Sequence, residues 1–134
     1  MLINRETDYA LRALRALTDG RKKTLAAICE EEGIPSQFGY KILKKLAVAK
    51  YVSITRGKEG GYTITGLFAE KSLYDLTHVM ENQTDISPCV IPGYVCESHR
   101  AKGRPCNVNR VLGRMQQEMD DRLRAVNLFE LLSR

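Results

Sequence analysis

"GIPSQFGYKILKKLAVAKYVSITRGKEGGYTIT", residues 33–65, decides the fold because its hydrophobic period changes partway along. Phe38, Ile42, Leu43 and Leu46 recur at helical spacing. Pro35 suits the first turn of such a helix, where a missing N–H costs nothing. Gly39 lies inside the helix and costs about 1 kcal/mol relative to alanine. After Lys50 the pattern alternates with period two over "YVSIT" and again over "YTIT". The glycine-rich turn "RGKEGG" joins these two runs into a β-hairpin.

Upstream, "RETDYALRALRALT" (5–18) carries Tyr9, Leu11, Ala13, Leu14 and Leu17 on one helical face, with Gly20 as a stop. Thr24 caps a second helix, "LAAICEEE", that ends at Gly33. Downstream, Ser72 opens "LYDLTHVME", with Asp75 three residues on in a capping box. A long segment of weak periodicity follows, and loops of that length are usually functional or disordered. From Val108 on, Val111, Leu112, Met115, Met119, Leu123, Val126 and Leu128 predict one helix of roughly 24 residues, about 36 Å long. So long an apolar stripe calls for a cover, a second copy of the chain first and helix 1 of its own chain as the alternative. The order helix, helix, helix, hairpin predicts a mainly α protein with a small β-hairpin wing, a winged helix–turn–helix. Residues 1–82 form the DNA-binding domain on this expectation, 83–107 a cysteine-bearing loop, and 108–134 a dimerisation helix.

Charge points the same way. Of the net +5, the first 66 residues hold 12 Lys and Arg against 7 Asp and Glu, and the remainder hold nine of each. A basic half beside a neutral half selects an anionic partner, with double-stranded DNA first. No apolar run is long enough to cross a bilayer, and the N-terminus has no secretory pattern, so the expected location is the cytoplasm.

In a helix–turn–helix the N-terminal residues of the second helix reach base edges, here Ser36, Gln37, Tyr40 and Lys41. Gln pairs with adenine and Lys with guanine or phosphate. Lys44 and Lys45 lie further along and suit phosphates. Arg56 and Lys58 at the hairpin tip suit a phosphate or a narrow minor groove.

Three of the four cysteines, Cys89, Cys96 and Cys106, stand in the long loop with gaps of six and nine residues. Thiolates select iron–sulfur clusters, zinc or copper(I). Structural zinc sites favour close Cys-x2-4-Cys pairs, and none is present, although His99 would be a local ligand. Thiol oxidation without a metal is the other option. Cys29 belongs to the core pattern, and His78 to structural hydrogen bonding. A Cys96 nucleophile with His99 as base would make an enzyme, but no orienting acid accompanies the pair, and no catalysis is expected.

"TDYALRAL", "GIPSQFGYKILKKL", "RGKEGGY" and the spaced cysteines after a short helix resemble the Rrf-two family of bacterial transcription regulators, over about residues 1–130. The resemblance implies a homodimer joined through the C-terminal helix. It further implies a repressor whose affinity for its operator follows an iron–sulfur cluster, 2Fe–2S or 4Fe–4S, sensing nitric oxide, redox state or cluster status. Carried over by position, Cys89, Cys96 and Cys106 are the thiolate ligands. Some members use a histidine three residues after the third cysteine, where this chain has Asn109. Nitric-oxide-sensing members use an aspartate from the partner subunit in a Thr-Asp-x-Ala-Leu-Arg context, which Thr7, Asp8, Ala10, Leu11 and Arg12 match. Asp8 is therefore the implied fourth ligand, with His99 the alternative. The gap between Cys96 and Cys106 is wider than usual in the family, and Gly39 stands where an apolar residue is usual.

Overall fold

The computed structural model describes residues 3–98 and 105–133. Its elements are α1 (Arg5–Leu17), α2 (Leu25–Glu32), α3 (Ser36–Val48), β1 (Val52–Thr55), β2 (Gly61–Ile64), α4 (Leu73–Met80), α5 (Asn107–Arg124) and α6 (Leu128–Leu132). Single 3-10 turns cover Gly66–Glu70 and Pro88–Val90.

The local signals act as expected. The Asn4 side chain accepts the Thr7 N–H at the start of α1, and Thr24 accepts the Ala27 N–H at the start of α2. Gly33 ends α2 at φ +64°, a left-handed cap that glycine adopts without penalty. Ser72 and Asp75 form both halves of the capping box on α4. The hairpin pairs Val52 with Ile64 and Thr55 with Gly61. A third chain segment joins it. Lys23 and Tyr62 exchange backbone bonds of 3.1 and 2.8 Å, so the wing is anchored on the connection between α1 and α2. Gly61 makes this approach possible, because a Cβ there would lie 2.7 Å from the Lys23 carbonyl oxygen.

Leu14, Leu17, Ile28, Ile42, Leu43, Leu46, Phe68 and Leu76 are fully buried and form the core of the winged helix. α2 and α3 cross closely over Gly39. A Cβ at that position would stand 2.5 Å from the Cys29 sulfur and 3.1 Å from Leu25 Cδ1. The glycine's helix penalty is thus exchanged for tight packing against Cys29, which is buried, as its core pattern implied.

The C-terminus departs from the single helix the periodicity predicts. α5 has 18 residues, about 27 Å, and stops at Arg124. The chain then turns back. Leu73 N–H donates to Val126 O at 2.8 Å, Leu128 N–H donates to Lys71 O at 2.9 Å, and the Asn127 amide donates to Ala69 O at 2.8 Å. Leu128 and Leu132 on α6 enter the winged-helix core. The segment 108–134 is therefore not one dimerisation helix. Its last part completes the DNA-binding half, because Leu128 buries more surface there than on an open stripe.

Candidate nucleic-acid interface and cysteine cavity

The outer face of α3 carries Ser36, Gln37, Tyr40, Lys41 and Lys44, all exposed, with Tyr40 at 58%. Arg56 and Lys58 are exposed at the wing tip beside Gly57, whose φ of +104° allows the sharp turn. Among the described residues, Lys44, Arg56 and Lys58 enter no ion pair. Val48 extends the α3 row one turn further, and Ile54 is exposed on β1. Neither was foreseen, although exposed apolar groups on such a face can meet thymine methyls.

Lys41 and Lys45 differ from their neighbours. Both turn toward α1, where Glu6 accepts from Lys41 Nζ at 2.5 Å and from Lys45 Nζ at 2.8 Å. Lys45 also donates to the Met80 carbonyl at 3.3 Å. The bonds from Lys41 and Lys45 hold the Glu6 carboxyl below its ordinary pKa. Lys45 is thus a partnered, half-buried cation, and a phosphate contact of the kind its spacing suggested would compete with Glu6.

The three loop cysteines come together. Cys89, Cys96 and Cys106, with Tyr94, Pro105, Asn109 and Arg110, line one cavity of about 430 Å³ beside the start of α5. Cys106 is itself the N-cap of α5, and its sulfur accepts the Asn109 N–H at 3.5 Å. The Asn109 side-chain amide donates to the Cys89 carbonyl, tying the 88–90 turn to the helix. Ser87 Oγ lies 3.3 Å from Cys89 Sγ. The three thiols are half-buried and free of disulfides. Among the described residues, no group of three or more His, Cys, Asp or Glu side chains is gathered around the position of one metal ion. The three soft thiolates are donors of the kind an iron–sulfur cluster takes. Arg110 in the wall would offset the negative charge of such a group.

Asp8 does not line this cavity in its own chain. It is half-exposed on α1, paired with Arg12 at 2.9 Å, in a separate hollow with Leu11, Arg15 and Leu131. His99 lies outside the described residues. His78 has both ring nitrogens partnered, Nδ1 with the Tyr74 carbonyl at 2.9 Å and Nε2 with Thr84 Oγ1 at 3.1 Å, so it acts as a structural bonder. Gln116 was missed. It is buried on α5, and its amide oxygen accepts the Ile86 N–H at 2.8 Å, anchoring the cysteine loop. A polar residue inside an apolar repeat was the available signal.

A helix–turn–helix followed by a hairpin wing defines a winged-helix DNA-binding protein. The sequence profile of the Rrf2 family, described as an iron-dependent transcriptional regulator, matches residues 3–134. The chain belongs to that family. It is 29% identical over 97 residues to protein aau3 of Rhizobium meliloti, covering 71% of this chain and 63% of that protein, so the match spans under two thirds of the relative. Its fold matches the crystal structure of the oxidized form of Staphylococcus aureus CymR with a TM-score of 0.74, 22% identity, and coverage of 100% of this chain and 98% of that one. It also matches T. potens IscR with a TM-score of 0.69 at 17% identity, covering 96% of this chain and 84% of that chain. No helix among the described residues is long and apolar enough to cross a membrane.

Proposed function

We propose that the chain is a dimeric repressor whose hold on its operator follows an iron–sulfur cluster bound by Cys89, Cys96 and Cys106, sensing nitric oxide, redox state or cluster status. The observation that carries this reading is the convergence of three cysteines, separated by gaps of six and nine residues, on one cavity at the start of α5. The family's description as iron-dependent supports it. Asp8 of the partner subunit is the proposed fourth ligand. When bound, the cluster would supply a centre that reacts with nitric oxide and oxygen.

The chain's own residues account for the rest. Cys106 begins α5, so its sulfur cannot change partners without disturbing the first turn of that helix. α5 packs on α4 with one side, and leaves Val108 at 62% and Met115 at 53% exposed, with Val111 between them, on the other. That stripe is the proposed dimer seam. Gln37 and Tyr40 would read one half-site per subunit, and Lys44, Arg56 and Lys58 would follow the backbone beside it.

The deciding experiment is purification without oxygen, followed by a visible spectrum, iron and sulfide assays, and operator binding before and after nitric oxide. Colourless protein without iron or sulfide, binding its operator unchanged, would refute the reading. Oxidation of the thiols without a cluster is a second reading, favoured by three half-buried free thiols sharing one cavity. Serine at all three positions separates the two, since only the cluster reading loses iron and colour with them.

A further inference from the structure

We propose that Glu6 and Glu81 are positioning residues that tie the root of the cysteine loop to the DNA-reading helix within one subunit. Glu81 is the first residue after α4, where the loop begins. Its Oε1 accepts the Asn4 backbone N–H at 3.0 Å and the Thr7 hydroxyl at 2.7 Å. Thr7 is fully buried, so this hydroxyl has no water to turn to. The same turn of α1 carries Glu6, whose two oxygens each hold one lysine of α3. Lys45 then reaches the carbonyl of Met80, the residue before Glu81.

These bonds close a ring. It runs from Met80 to Lys45, from Lys45 to Glu6, along the chain to Thr7, across to Glu81, and along the chain back to Met80. A chain of separate contacts can yield at any one of them. A closed ring forces a displacement at residues 80–81 to appear at α1 and α3 or to break a bond. Glu6 adds a second effect, because it holds the positive charge of Lys41 and Lys45 against α1 and away from an approaching phosphate. The cysteine loop thereby acts on both the angle of α3 and its usable charge, with no contribution from the partner subunit.

The coupling rests on the thiol control proposed above, whereas the hold of Glu6 on the lysines does not. Operator affinity is measured on anaerobically prepared full-length dimer, before and after nitric oxide, for wild type, Glu81→Ala, Thr7→Val and Glu81→Gln. Glu81→Ala and Thr7→Val are expected to shrink the ratio of the two dissociation constants about fivefold or more, the lower range of allosteric coupling. Glu81→Gln keeps a carbonyl acceptor in place and is expected to preserve the ratio, which a mere loss of packing would not predict. If Glu81→Ala does not fold, the nearly isosteric Thr7→Val decides. A folded variant retaining the full ratio overturns the coupling. A colourless wild-type protein without iron or sulfide, whose operator binding is unchanged by nitric oxide, refutes the cluster control and the coupling together. The lysine hold is judged independently by Glu6→Gln on non-specific DNA. Its plot of log affinity against log salt is expected to steepen by about 0.9 for each lysine that reaches a phosphate, and an unchanged slope overturns it.

Discussion

Replacing Gly39 with alanine tests the packing that sets α3 against α2. In an open helix this change would stabilise by about 1 kcal/mol. Here the new methyl would lie 2.5 Å from Cys29 Sγ and 3.1 Å from Leu25 Cδ1, so the side chains around it must shift. Overpacking of this kind costs about 1–3 kcal/mol. The expected net loss for Gly39→Ala is therefore about 1 kcal/mol. Cys29→Ala alone should also cost about 1 kcal/mol, the value of one buried heavy atom. The double variant removes the sulfur that the alanine methyl would meet, fills part of the space it leaves and keeps the helix gain. It should return close to wild type, a coupling of about 2 kcal/mol between the two sites. Urea unfolding followed by circular dichroism, at one fixed protein concentration because a dimer's stability depends on it, measures all four corners of the cycle. Gly39→Ala more stable than wild type by about 1 kcal/mol, or additive with Cys29→Ala, would refute the close-approach argument.

At the DNA face, Gln37→Ala should relax preference at one base position at a cost of about 1–3 kcal/mol. Lys44→Ala should instead weaken all sequences alike and flatten the salt slope by about 0.9, read by anisotropy titrations across salt concentrations. Gln116→Leu leaves the Ile86 N–H without its acceptor at a cost of about 1–3 kcal/mol, and faster amide exchange and proteolysis in residues 82–90 should report it. The Glu6 carboxyl has its folded pKa lowered by Lys41 and Lys45, so its stabilisation is complete above its ordinary value of 4.5 and is lost as pH falls through the lowered folded value. Wild type should therefore exceed Glu6→Gln in urea midpoint at pH 7 and lose that advantage as pH falls below 4.5.

The parts of the fold that were legible in the sequence are those fixed within a few residues. Thr24 and Gly33 bracket α2, Ser72 and Asp75 open α4, and the alternation on either side of Gly60 makes the wing. What was not legible depends on residues far apart in the chain. Val126 and Leu128 continue the helical spacing of α5, so the periodicity hides the break, and the Asn127 cap on α6 is its one local sign. The break is fixed by hydrogen bonds to residues 69–73, more than fifty positions earlier. The inward turn of Lys41 and Lys45 depends on Glu6, an acidic residue in a segment that otherwise only looked like a well-formed first helical turn. Lys23 is tied in the same long-range way by Tyr62 at its backbone, and by Asp19 and Glu31 at its ammonium group. The site was legible in a similar way. The cysteines stood out by composition alone, while the anchor that steadies their loop, Gln116, is informative only once its partner at Ile86 is seen.

The strap formed by residues 126–128 gives α5 the mechanics of a beam held at both ends. One end is seated in the cysteine cavity through Cys106, and the other is stitched to residues 69–73 of the winged helix. A beam so held cannot swing outward like a hinged arm. What remains to it is rolling about its long axis, carrying Val108, Val111 and Met115 around with it. If those side chains meet their copies in a second subunit, a small roll would change the tilt between the two DNA-reading heads while barely changing their separation. Such a protein would release its operator by losing alignment with the grooves, without coming apart.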